Sequence, residues 1–165
     1  MIALFLYHAF FSLTVGFFCA YVFEVPKRMI FQVSLIGMFG WLTYYFTQVL
    51  AGSTPVWSSY WASLVIAAMS QWAANRFHQP VTLFFIPGFI PIVPGGGLYR
   101  TALYLFQRDF DLFSSQLLET FMSTVAIGLA IFTVSSINYL GNRTTSAKYI
   151  RRDNRKRVRA LFRKH

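Results

Sequence analysis

Charge is what this sequence has least of. Five of its 165 residues are acidic, and charged residues of both signs make up only 12%. A soluble domain carries about 25% charged residues, so composition argues against a water-covered globule. Cysteine is nearly missing as well: Cys19 stands alone, which rules out a disulfide scaffold. There is no Ser/His/Asp or Cys/His set, no phosphate-binding glycine loop and no pair of carboxylates for acid–base work, so neither an enzyme nor a cofactor is expected. His8 and His78 are isolated near the ends of apolar runs, and no metal site is expected from them. What the chain has in excess is apolar surface: 56% of its residues are hydrophobic, which excludes disorder for most of it.

The missing charge is unevenly distributed. Residues 1–23, 29–75, 77–99 and 120–142 contain no Asp, Glu, Lys or Arg. A helix crossing the hydrocarbon core needs about 20 predominantly apolar residues. Four segments meet that requirement: residues 2–23, about 29–50, about 57–75 and about 113–140. The cluster Ala51-Gly52-Ser53-Thr54-Pro55 turns the long second run into a hairpin. The first run has no basic leader and no small-residue cleavage site, so it reads as a retained helix and not a signal peptide. Residues 80–107 are long enough to cross too, but Pro87, Gly88, Pro91, Pro94, Gly95, Gly96 and Gly97 interrupt them. No uninterrupted helix is expected through that series. The expected fold is an all-α integral membrane protein of about five transmembrane segments, the fourth broken, with a bundle at residues 1–142 and a cytoplasmic tail at 143–165.

Basic residues orient the chain. Ten of the fifteen Lys and Arg lie at residues 143–165, and Lys27, Arg28 and Arg76 mark two further cytoplasmic loops. The uncharged turn at 51–58 is then outside, the N-terminus outside and the C-terminus inside. Read as a helix, residues 148–165 gather Ile150, Val158, Leu161 and Phe162 near one face among basic neighbours. An amphipathic helix of this kind anchors on anionic lipid. Nucleic-acid binding is not expected, because no aromatic stacking platform accompanies the charge. Small residues recur on the spans: Ser12, Gly16 and Ala20; Gly37 and Gly40; Ser59, Ser63 and Ala67; Thr120, Thr124 and Gly128. Such rows allow close helix packing in lipid. Five helices make a thin bundle, so an oligomer or a partner subunit is expected.

The broken segment carries the chemistry. Interrupted backbone at membrane depth survives only inside protein or beside a water-filled cavity, and broken helices of this type form binding sites in secondary transporters. The glycines at 95–97 precede a helix-competent run at 98–107. A helix starting there would offer free N–H groups and a positive dipole end to an anion. Arg100 lies one turn in, and its planar guanidinium suits a carboxylate; Tyr99 adds a hydroxyl. The alternatives are internal pairing of Arg100 with Glu119 or Asp109 or its snorkelling to an interface, ordinary packing of Tyr99, and a simple kink at Pro87 and Pro91. Glu119, one turn into the last span, is a candidate for carrying a coupling proton or for pairing with Arg100 or Arg108. Together Pro87, Gly88, Pro91, Pro94, Gly95, Gly96, Gly97, Tyr99 and Arg100 form the expected site for a small carboxylate or amino acid.

The run Pro87-Gly88-Phe89-Ile90-Pro91-Ile92-Val93-Pro94-Gly95, followed by Tyr99-Arg100, resembles the signature of the threonine/serine exporter family. Val25-Pro26 after the first span, Gln71-Trp72 in the third and the basic end are similar to the small subunit of the family's split, two-component form. The resemblance implies export of threonine or serine across a bacterial cytoplasmic membrane, or of a dicarboxylate such as succinate. It also implies a second, longer membrane subunit or, failing that, self-assembly. A different reading is a non-transporting scaffold that docks a cytoplasmic partner through the basic tail.

Overall fold

The computed structural model describes the backbone of residues 2–162 and the side chains of residues 4–139. Six α-helices follow one another: α1 (Ile2–Val22), α2 (Ile30–Val49), α3 (Pro55–Phe77), α4 (Val81–Phe89), α5 (Gly95–Phe106) and α6 (Phe110–Phe162). A 3₁₀ turn at Ile90–Ile92 joins α4 to α5. No strand occurs among the described residues.

Local chemistry sets the boundaries. Thr54 is extended and Pro55 opens α3, where a missing N–H costs nothing. Helix α3 closes on His78 in the left-handed conformation (φ 53°), with Pro80 two residues on. Arg108 takes the same conformation after α5 (φ 59°), and the Asp109 carboxylate then accepts the Leu112 N–H at 3.2 Å. Asp109 therefore caps the start of α6. The expected final span and tail lie on a single helix whose backbone continues to Phe162. The amphipathic face expected at 148–165 falls on side chains outside the described residues.

The helices are apolar outward and hydroxylated inward. Phe10, Phe18, Tyr21 and Val22 on α1, and Phe121, Leu129 and Phe132 on α6, are exposed. Every buried polar side chain among the described residues is a serine or threonine. Small hydroxylated residues let backbones approach each other inside. Helix α3 packs on α6 and α2, and α1 packs on α2. A Cβ on Gly16 would lie 3.0 Å from the Ser34 Cα, so α1 and α2 meet backbone to backbone. The Gly40 backbone instead packs against the Ile66 side chain of α3. The expected row on α6 is different: Thr120 is buried, but Thr124 and Gly128 are exposed. The inward stripe runs instead through Thr120, Ser123, Ala126, Ile127, Ala130 and Val134, the period of 3.6 residues winning over a strict spacing of four.

Among the described residues two helices are long and apolar enough to cross a membrane, α1 at Leu4–Val22 (mean hydropathy 1.6) and α6 at Phe110–Tyr139 (1.8). The pair Val81–Ile92 and Gly95–Phe106, bent by 46°, passes as one broken span. Helices α2 and α3 match the expected second and third segments in place, but they do not reach that apolarity. Four serines of α3, Ser58, Ser59, Ser63 and Ser70, are buried in the bundle, so part of its polarity is hidden from the surroundings.

Candidate functional site

The broken segment divides into two halves with different surroundings. Its first half is packed. Pro87 lies inside α4 and is buried with Gly88. A Cβ on Gly37 would lie 3.3 Å from the Gly88 carbonyl oxygen, and one on Gly88 would lie 3.1 Å from Ile36 Cγ2. This half holds α4 against α2 and lines no part of the cleft described next.

The second half opens onto a cleft of about 400 Å³. Pro91, Pro94, Gly96, Gly97 and Arg100 line it, together with Glu119 of α6. The helix begins earlier than the sequence suggests: α5 starts at Gly95, so the three glycines form its first turn. The first-turn amides of Gly96 and Gly97 have no carbonyl four residues back within the helix. The Gly95 N–H turns back to the Val93 carbonyl at 2.6 Å, and Gly95 does not line the cleft. Tyr99 is 69% exposed and also faces elsewhere. Gly97 and Arg100 are three apart and share a helix face, whereas Tyr99, two residues from Gly97, points away from it.

Other helices complete the wall. Helix α2 supplies Trp41, Tyr44 and Gln48 from its C-terminal turns, and α3 supplies Pro55 and Ser59 from its first turn. Helix α6 supplies Gln116, Glu119, Thr120 and Ser123. These four stand at positions i, i+3, i+4 and i+7, a single face of α6. Several of these residues were missed from sequence. Their only signal there is polar or hydroxylated side chains on the inward stripe of an apolar helix. The floor is apolar: Ile92 lines the cleft and belongs to the same core cluster as Ile66.

The approach of α5 to α6 sets the width. A Cβ on Gly97 would lie 2.5 Å from Thr120 Oγ1, so only glycine fits there without movement. That contact lies beside both charges, since Arg100 is one turn from Gly97 and Glu119 adjoins Thr120. The phenol of Tyr44 is within electrostatic range of both. Yet no ion pair or hydrogen bond joins the Arg100 and Glu119 side chains among the described residues. The hydroxyls of Ser59 and Thr120 each donate to a carbonyl of their own helix at 2.8 Å, to Pro55 and Gln116. Their oxygen lone pairs remain able to accept. Among the described residues no cluster of His, Cys, Asp or Glu could hold a metal. Ser58, Ser63 and Ser70 are buried on α3 with hydroxyl oxygens that have no partner.

An all-helical bundle, apolar outside, with a broken helix whose glycine-rich first turn and arginine line a cleft, has the architecture of a membrane transport protein. The sequence matches the family described as "Threonine/Serine exporter, ThrE" over residues 8–137, and the chain belongs to that family. No curated protein and no solved structure matches it.

Proposed function

We propose that this chain is a subunit of a secondary transporter that exports threonine, serine or a closely similar small carboxylate across the bacterial cytoplasmic membrane. The observation that carries the reading is the juxtaposition, in a member of this family, of Arg100 and the first-turn amides of Gly96 and Gly97 on one polar cleft. A carboxylate placed between them takes charge-assisted hydrogen bonds from the guanidinium and meets the positive end of α5. An unpaired arginine at membrane depth is costly, and a passing anion supplies its counter-charge without committing it to a permanent partner.

The proposed topology has five crossings, with α2 and α3 as the second and third, the N-terminus outside and the C-terminus inside. The cleft sits where α2 ends and α3 begins, so in that orientation it opens outward. Transport then needs a second arrangement that reaches the cytoplasm, driven by the proton gradient. A longer subunit of the same family, or further copies of this chain, covers the exposed apolar flanks of α1 and α6. The basic tail lies on anionic lipid.

The test is efflux of threonine, serine and succinate from cells carrying this chain with the longer subunit, against cells lacking it. The reading predicts chain-dependent efflux that Arg100→Lys sharply reduces at normal expression. Normal efflux from the Arg100→Lys variant would remove the carboxylate site. A reporter fused after His165 that proved extracytoplasmic would reverse the topology.

A further inference from the structure

We propose that Glu119 is the ammonium site of the cleft and that Arg100 and Glu119 together select zwitterionic α-amino acids over dicarboxylates. This rests on the exporter reading above and narrows its substrate class.

The argument begins with charge balance. The cleft lining holds one cation, Arg100, and one anion, Glu119. A dicarboxylate would bring two negative charges to a wall with a single arginine, and its second carboxylate would meet Glu119 as a like charge. An α-amino acid brings one charge of each sign, attached to the same carbon. Such a ligand satisfies both side chains and leaves the cleft neutral, which matters where water is scarce and an unpaired charge is expensive.

Geometry supports the same assignment. Arg100 and Glu119 stand on different helices, and the close contact of Gly97 with Thr120 ties those helices together beside both charges. The two charges line one cleft, and no ion pair joins them among the described residues, as a site for a small two-headed ligand requires. The substrate hydroxyl also has partners. Ser59 and Thr120 have spent their own protons on helix carbonyls, so both present acceptors to an alcohol O–H. An ammonium beside Glu119 finds the same acceptors.

The experiment uses proteoliposomes carrying this chain with the longer subunit and measures exchange of three probes: L-serine, glycerate and succinate. Glycerate is serine with a hydroxyl in place of the ammonium, so size and carboxylate are kept. The unsubstituted protein should favour serine over glycerate and succinate by about tenfold or more, the discrimination expected of one charge-assisted contact. Glu119→Gln should weaken serine about tenfold and leave glycerate unweakened, closing the gap. Glu119→Asp should restore part of the serine preference. Arg100→Gln should weaken all three.

Equal handling of serine and glycerate by the unsubstituted protein would overturn the proposal. So would a Glu119→Gln variant that loses both probes alike, which is the mark of a structural role. A Glu119→Gln variant with unchanged serine exchange but no gradient-driven export would assign the residue to proton coupling and overturn it as well. Absence of exchange of all three probes by the unsubstituted protein would instead bring down the exporter reading on which the proposal stands.

Discussion

Two stretches of proline and glycine lie within ten residues of each other, and their surroundings make them opposites. Pro87-Gly88 is buried, and its backbone serves as a packing surface for Gly37 and Ile36 of α2. Pro94, Gly96 and Gly97 line an open cleft, and a Cβ on Gly95 or Gly96 would meet nothing within 4 Å. The first pair brings helices together; the second stretch opens onto the cleft. One motif in the sequence is therefore two devices in the fold. The glycine of the first cannot be enlarged because a neighbour occupies the space. Gly95 and Gly96 of the second leave space that no protein atom fills, while Gly97 is held against Thr120.

Variants can separate the two devices. The largest effect is expected at the open end. Arg100→Gln should cut threonine or serine transport by about 100-fold, the scale of a lost bidentate charged contact, with the melting temperature of the purified protein unchanged. Next comes the packed end. Gly88→Leu forces a side chain against Ile36, which is 3% exposed and has nowhere to go. It should lower stability by about 2–3 kcal/mol, read as a drop in thermal unfolding temperature, with transport lost only in proportion to folded protein. Gly97→Ala tests the seam between the two, because Thr120 must move to admit the methyl group. About 1–2 kcal/mol of stability should go, together with a weakened apparent affinity for serine as the cleft changes width. Gly95→Ala should do the reverse. Its Cβ meets nothing, and alanine should strengthen the helix by about 0.5 kcal/mol with transport unchanged in an efflux assay. The smallest change is expected at Ser63→Ala, which removes a buried hydroxyl without a partner. Stability measured by thermal unfolding should be unaltered or raised by up to about 1 kcal/mol.

Much of this was readable beforehand, for a local reason. Long uncharged runs identify helices and their ends because charge is costly in lipid, whatever the rest of the chain does. A break within residues 87–97 follows from proline chemistry, although α4 runs on through Pro87 and Gly88 and α5 takes in the three glycines; Arg100 stands out because so few charges accompany it. The row Ser12, Gly16, Ala20 is buried as periodicity suggests. The places where periodicity misled are equally physical. Starting α5 at Gly95 rotates Tyr99 off the face that carries Gly97 and Arg100. On α6, Thr124 and Gly128 drift away from the contact that Thr120 makes, since four residues overshoot one turn. Tyr44, Gln48, Gln116 and Ser123 were not singled out, because each is an ordinary polar residue on its own helix, and Ser59 stood out only as part of a packing row. They become a wall only where α2, α3 and α6 converge.

By itself the sequence determined that the chain is helical, too apolar for water, broken once near its fourth segment, and provided with a single arginine beside that break. These are properties of short stretches and follow from local propensity and solvation. Tertiary structure alone decided which half of the proline–glycine motif packs and which half faces a cavity. It also decided that Glu119 stands across from Arg100 without pairing to it. That outcome depends on how close two helices come, and the approach is set by one glycine against one threonine, Gly97 against Thr120. No spacing along the chain encodes that distance, because it exists only after α5 and α6 have packed.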